Sequence, residues 1–316
     1  MTLKSSFLPL GLLIAIAVAL TSPALGLFIQ EQQLSPILVA VIFLINGYQT
    51  KLEKKSFDIN LSKGISIALF IALIISPFLG LGITKLLPLG SAFAVGLLIM
   101  SAMPSTLSSG IVISEQAGGD RLWAVLLTMI LNLLGIFSIP FMLSFTLNDH
   151  PDFDISPFPL LLKLFQLVLV PFAIGFICKP LPTPNILKHR LGYLSSTCVI
   201  VIALGGLSSA RELLMSMTLY ALVLAAFASL SLHFLLMGML YLSGTYFGFQ
   251  KSKIISLCFV ASQKTLPVAM SVLTALNADL GGALLLCLIF HFSQLMVDSY
   301  LAQLWSDKSQ KESALN

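Results

Sequence analysis

Ten long apolar runs dominate this chain and leave it few possible folds. With approximate ends they cover 7–28, 35–50, 64–86, 91–114, 122–147, 158–178, 191–209, 217–247, 254–276 and 281–304. About 20 apolar residues cross a bilayer as a helix. Inside lipid, only helices and closed barrels satisfy every backbone polar group. The runs therefore predict an all-α membrane protein of ten transmembrane helices, and the composition agrees. Hydrophobic residues make up 57% of the 316 and charged residues only 9%, where a soluble domain carries about a quarter charged. The first run, with Lys4 before it and SPALG at its end, also resembles a secretory signal; removing it would leave nine spans.

The cationic residues support the count of ten. With loops assigned alternately to two sides, Lys85, Lys163 and Arg211 fall on one side and Lys264 falls inside a span. The remaining thirteen of the seventeen Lys and Arg share the side of the N-terminus. By the positive-inside rule both termini are cytoplasmic, which predicts a multi-pass protein of the cytoplasmic (inner) membrane. The acidic loop 148–157 falls outside. Cys178, Cys198, Cys258 and Cys287 sit in apolar runs at unrelated spacings, a pattern of packing residues rather than of a disulfide framework or metal site.

The chain also reads as one unit written twice. At an offset of 159, Gly47 meets Gly206, Pro23 meets Pro182, Ser105 meets Lys264 and Asn132 meets His291. Five spans is an odd number, so two tandem five-span units, 1–148 and 158–306, insert with opposite orientation. Inverted repeats of this kind characterise secondary transporters, whose site lies near the midplane where discontinuous helices meet.

Two polar breaks mark that place. Span four holds MPSTLSSG (103–110), in which Pro104 disfavours helix and Ser105, Thr106, Ser108 and Ser109 offer hydroxyls. Span nine holds SQKTLP (262–267), with Gln263, Lys264 and Thr265 ahead of Pro267. Irregular backbone at membrane depth survives only when buried in protein or lining a wet cavity. The half-helix N-termini are expected to offer free N–H groups to an anion. A charge near the membrane centre costs at least ~2.5–3.5 kcal/mol, so Lys264 needs a reason to be there. Two roles fit: a point charge for a substrate carboxylate, sulfate or phosphate, or a tethered cation standing where a transported cation would otherwise sit. In the spans after each break, Thr128 precedes Asn132 by four, and Gln294 and Asp298 follow His291 on one helical face. His233 has no partner that the sequence identifies.

These motifs resemble the bile acid:sodium symporter family, in its bacterial symporter-like branch related to the animal seventh member. The resemblance is carried by FLINGYQTKLE (43–53), AMPSTLSSGIVIS (102–114), LNLLGIFSIP (131–140), SQKTLPVAM (262–270) and HFSQLMVDSYLA (291–302). It implies a panel domain of spans 1, 2, 6 and 7 and a core domain of spans 3–5 and 8–10, with helices 4 and 9 unwound and crossing. It further implies alternating access for an organic anion, with sodium behind the crossing at Ser108, Ser109, Thr128 and Gln263. Phe259 stands where sodium-coupled relatives carry an acidic residue, and Gly110 where an asparagine is expected. Losing a carboxylate and gaining an ammonium changes the local charge by about two units, against the usual needs of a cation site. Hence the expectation that Lys264 replaces one bound cation.

The functional reading is a secondary transporter of a small organic anion, not an enzyme, with no cofactor beyond Na+ and no nucleic-acid partner. Its candidate binding residues are Ser105, Thr106, Ser108, Ser109, Thr128, Asn132, Gln263, Lys264, Thr265, His291 and Gln294. Two alternatives remain open at this stage: a non-transporting membrane regulator or sensor on the same scaffold, and an intramembrane hydrolase pairing a serine with Lys264 as base.

Overall fold

A computed structural model describes residues 3–49, 59–106, 108–147, 156–178, 185–276 and 281–314. Pro182 of the repeat, residues 148–155 of the acidic loop, and Lys51, Lys54, Lys55 and Lys179 lie outside the described residues. Most of those described are helical, with no strand among them. Seven stretches are long and apolar enough to span a membrane, and an eighth is a sharply bent pair. Ser35–Gln49 and Ser91–Ala102 are apolar but shorter. Each apolar run of the sequence thus corresponds to a helix or helix pair, several of them interrupted.

The first run is a sharply bent pair of helices. Helix α1 (Leu3–Thr21) and α2 (Ala24–Glu31) meet at 99°. Pro23 has no N–H to continue the ladder, and the side chain of Arg211 donates from Nε to the Leu20 carbonyl at the end of α1, at 2.8 Å. Helix α3 (Ser35–Gln49) follows. The third run is α4 (Ile59–Leu69), a π-helical segment Phe70–Ile75, and α5 (Ser76–Leu86). The sixth has the same plan, with α9 (Pro157–Leu164), a π segment Phe165–Leu169, and α10 (Val170–Ile177). Both π segments end two residues before a proline, Pro77 and Pro171, where a missing donor favours a wider turn.

Between them lie α6 (Ser91–Ala102), α7 (Ser109–Gln116) and α8 (Arg121–Thr146), the last capped by the Asp120 carboxylate on Trp123 N at 3.1 Å. The second half holds α11 (Asn185–Ser209), α12 (Arg211–Ser216), α13 (Leu219–Tyr246), α14 (Lys251–Ser262), α15 (Leu266–Leu276) and α16 (Gly281–Ala314). Helices α6 and α14 are each 12 residues long. Both are entered from an extended residue (Gly90, φ −60°, ψ 152°; Gln250, φ −60°, ψ 146°) and left through another (Met103, φ −71°, ψ 148°; Gln263, φ −71°, ψ 145°). These caps match at a spacing of 160, which sets Pro104 opposite Lys264, one residue from the pairing of Ser105 with Lys264 read in the sequence.

Packing sorts the helices into two neighbourhoods. In one, α1 and α2 pack on α11, and α3 packs on α10 and α11. Glycines allow backbone contact there: a Cβ on Gly47 would lie 2.0 Å from the Phe172 carbonyl, and one on Gly175 1.9 Å from that of Leu44. In the other, α16 packs on α6 and α13, and α14 packs on α7, α8 and α13. The neighbourhoods meet where α15 touches α3 and α9, α11 touches α16, and α8 touches α9. Lys163 on α9 ties them, its Nζ donating to the Ala275 carbonyl of α15 at 2.7 Å. The α14–α15 stretch is the most enclosed span, with 89% of its most apolar window buried against 22% for 157–177. Many large apolar side chains face outward, Leu10, Phe70, Phe145 and Tyr246 among them, as a lipid-facing surface requires.

Candidate functional site

Two helices stop at the same place for different local reasons. The ring of Pro104 disfavours helix at Met103, so α6 ends. In α14 the Ser262 hydroxyl donates back to the Cys258 carbonyl at 2.7 Å, Gln263 turns extended, and Pro267 lies in the first turn of α15, where its missing N–H is harmless. The two extended segments pair. Thr265 N donates to the Pro104 carbonyl at 3.0 Å, and Ser105 Oγ to the Val260 carbonyl at 2.6 Å. Val260 needs that hydroxyl because Lys264 N, four residues on, donates instead to Gln294 Oε1 at 2.9 Å. Gln294 Nε2 in turn donates to the Lys264 carbonyl at 2.7 Å. One side-chain amide thus does for Lys264 what a neighbouring strand would do. His291 Nδ1 lies 3.3 Å from that same Nε2. On the other break, Asn132 Nδ2 donates to the carbonyls of Ser105 (2.9 Å) and Thr128 (2.8 Å). Asn132 therefore braces one break and Gln294 the other.

The N–H groups of Lys264 and Thr265, just ahead of α15, donate to protein acceptors, as does that of Gly110 in the first turn of α7, to Thr106 Oγ1 at 3.0 Å.

Successive residues of an extended segment point to opposite sides, so Gln263 and Lys264 face apart. Gln263 Oε1 accepts from the hydroxyls of Thr106 (2.7 Å) and Ser109 (3.0 Å). Its Nε2 donates to Asp298 Oδ2 at 2.6 Å, and Asp298 Oδ1 meets His233 Nε2 at 2.8 Å. The amide nitrogen of Gln263 thus meets the carboxyl group and its oxygen the two hydroxyls. His233, Asp298 and Gln263 are fully enclosed. On the opposite side Lys264, also without exposed surface, donates from Nζ to the carbonyls of Ala72 (2.8 Å) and Met103 (2.9 Å).

Of the remaining candidates, Thr128 is buried with no partner for its hydroxyl, Ser109 and Asn132 are half-buried, and Ser108 is exposed at the start of α7. Phe259, where the family resemblance leads one to expect an acidic residue, packs against Trp305 with ring centroids 5.2 Å apart. The four cysteines are unpaired, and among the described residues no cluster of His, Cys, Asp and Glu has the makings of a metal site. Sequence reasoning missed the His233–Asp298 pair, whose members are 65 residues apart. The only signal was the i+7 placement of Asp298 on the His291 face.

Comparison with known proteins points one way. The model of the SBF-like CPA transporter family matches residues 6–307. The chain is 28% identical to the probable sodium/metabolite cotransporter BASS4, chloroplastic, of Oryza sativa subsp. japonica, over 98% of this chain and 77% of the relative. It is 29% identical to the protein of that name from Arabidopsis thaliana, over 96% and 73%. It is 24% identical to sodium/bile acid cotransporter 7-A of Xenopus laevis, over 95% and 91%.

Proposed function

The chain belongs to the SBF-like CPA transporter family, and from that premise we propose that it carries a small organic anion across the membrane by alternating access, with the Lys264 ammonium in place of a coupling cation. That it is a membrane transporter and not an enzyme follows from the family and its relatives. The serine–lysine hydrolase reading also lacks chemical support, because Lys264 Nζ and Ser105 Oγ both donate to backbone carbonyls.

The architecture we propose is ten spans in two inverted repeats, 1–148 and 158–306. The matched lengths and caps of α6 and α14 favour it. The two packing neighbourhoods suit a panel of spans 1, 2, 6 and 7 moving against a core of spans 3–5 and 8–10, in which helices 4 and 9 are unwound and cross. Both termini are placed on the cytoplasmic side of the inner membrane. Two of the three cations on the other side, Lys163 and Arg211, cap helix ends, which gives them a structural reason to be there.

One observation carries the coupling proposal: a fully enclosed lysine between two interrupted segments, holding a carbonyl of each. Of the candidate residues, Ser105, Asn132, Thr265 and Gln294 brace the two breaks, and Gln263, Thr106 and Ser109 bond together on the face opposite Lys264. A panel of radiolabelled carboxylates, sulfonates and phosphate monoesters, first screened by thermal shift, tests the proposal in proteoliposomes. Uptake down the anion gradient, equal with and without sodium, is the expected result. Strict sodium dependence would remove the role given to Lys264, and no uptake or binding of any anion would remove the transport proposal and favour a regulator.

Sodium coupling is the second reading, favoured by the orphaned Thr128 hydroxyl and by the relatives' names. Ser108, Ser109, Thr128 and Gln263 would supply its oxygens. Against it, Gln263 Oε1 already accepts two hydroxyl bonds, and an aromatic pair fills the place of the acid. The same uptake experiment decides between the two.

A further inference from the structure

The carbonyl of Ala72 has no donor of its own helix left to it. In an α-helix it would accept from Ser76 N, but the π segment sends that N–H to the Ile71 carbonyl. In a π register it would accept from residue 77, and Pro77 has no N–H. The Met103 carbonyl ends α6 in an extended conformation immediately before Pro104, at the negative end of a helix. These two oxygens belong to different interrupted segments, yet they converge on one enclosed point, occupied by Lys264 Nζ at 2.8 and 2.9 Å. Among the described residues no carboxylate lies within ion-pair range of that nitrogen.

We infer that the carbonyls of Ala72 and Met103 form a monovalent-cation site that the protein fills with its own ammonium. The inference rests on the proposal that Lys264 replaces a coupling cation, and it names the atoms that proposal requires. Convergent backbone carbonyls in a dry interior substitute for the hydration shell of a monovalent ion, and left without a partner they carry a desolvation cost. Neutral oxygens with no carboxylate suit a single positive charge and not a divalent ion. The site lies on the face of the break opposite Gln263, Thr106 and Ser109, so it is separate from the sodium donors that the family resemblance implies.

The test uses the purified full-length protein and no transported anion. Melting of wild type, Lys264→Ala and Lys264→Met is measured in sodium, potassium, ammonium and methylammonium chloride against choline chloride at equal ionic strength. Lys264→Ala vacates room for an ion, whereas Lys264→Met keeps the volume filled without charge. The expected result is a saturable rise of at least about 2 °C for Lys264→Ala in a small monovalent cation relative to choline, absent from wild type and from Lys264→Met. Folding of Lys264→Ala only in small-cation salts supports the inference equally. Equal melting of Lys264→Ala in all five salts overturns it. So does a cation response shared by Lys264→Met or wild type, or failure of Lys264→Ala to fold in every salt. Because no substrate enters the readout, a failed search for transported anions leaves this result standing.

Discussion

Gln263 on the α14–α15 break and Asp298 on α16 are joined by a 2.6 Å bond from Nε2 to Oδ2, with His233 at 2.8 Å on the other carboxylate oxygen. The bond links α16 to both breaks, since the amide oxygen of Gln263 takes the hydroxyls of Thr106 and Ser109. A carboxyl group enclosed among helices needs such partners for its oxygens. The partners in turn depend on it.

Asp298→Ala should therefore be one of the costlier single changes in the chain. It strands two enclosed partners, each at about 1–3 kcal/mol, for a loss of roughly 2–6 kcal/mol. A double-mutant cycle with Gln263→Leu, read by reversible unfolding in bilayer mimetics, should return a coupling of about 0.5–3 kcal/mol. Additive effects would mean that the bond contributes nothing.

Lys163 acts across the junction of the two helix neighbourhoods. Its bond to the Ala275 carbonyl caps the last turn of α15, where cations are favoured. Lys163→Met should speed hydrogen exchange in the final turn of α15, and Lys163→Arg should restore most of the protection. Unchanged exchange in the methionine variant would show that the bond does not hold that turn.

Glycine substitutions should divide sharply by position. A Cβ on Gly47 or Gly175 meets backbone carbonyls at 2.0 and 1.9 Å, so alanine must part α3 from α10, at about 1–3 kcal/mol or more. At Gly82 and Gly238 nothing lies within 4 Å of the added carbon. Alanine there should stabilise by up to about 1 kcal/mol through helix propensity. Thermal melting of the four variants checks the contrast, and equal effects at all four would refute the close packing of α3 and α10.

The proposed orientation makes a labelling prediction. In a cysteine-free background on intact cells, Glu212→Cys should react with a membrane-impermeant maleimide. Ser252→Cys, beside the cytoplasmic end of α14, should react only after lysis. The reverse pattern would invert the topology.

Much of the site could be read before any coordinates, because its strongest signals are local. Pro104, Pro267 and the polar residues beside them mark interruptions whatever surrounds them, since a missing N–H or an intramembrane lysine is costly in any fold. The bend at Pro23 has an equally local cause, but the apolar run resumes beyond Thr21, Ser22 and Pro23. Hydropathy measures transfer into lipid and is blind to direction.

The partners could not be read. Nothing in the sequence around Ala72 announces that its carbonyl will be free, because that depends on the π register of the segment before Pro77, and the amine that takes it comes from 192 residues away. His233 and Asp298, or Lys264 and Met103, are likewise joined by helix packing, which no local spacing encodes. By itself the sequence determined that this chain lives in a membrane, where its helices break, and which charge has to be sheltered. Only the tertiary structure decided which oxygens shelter it, because a hydrogen bond is specified by the meeting of two groups in space, whereas a break is specified by one residue's own covalent chemistry.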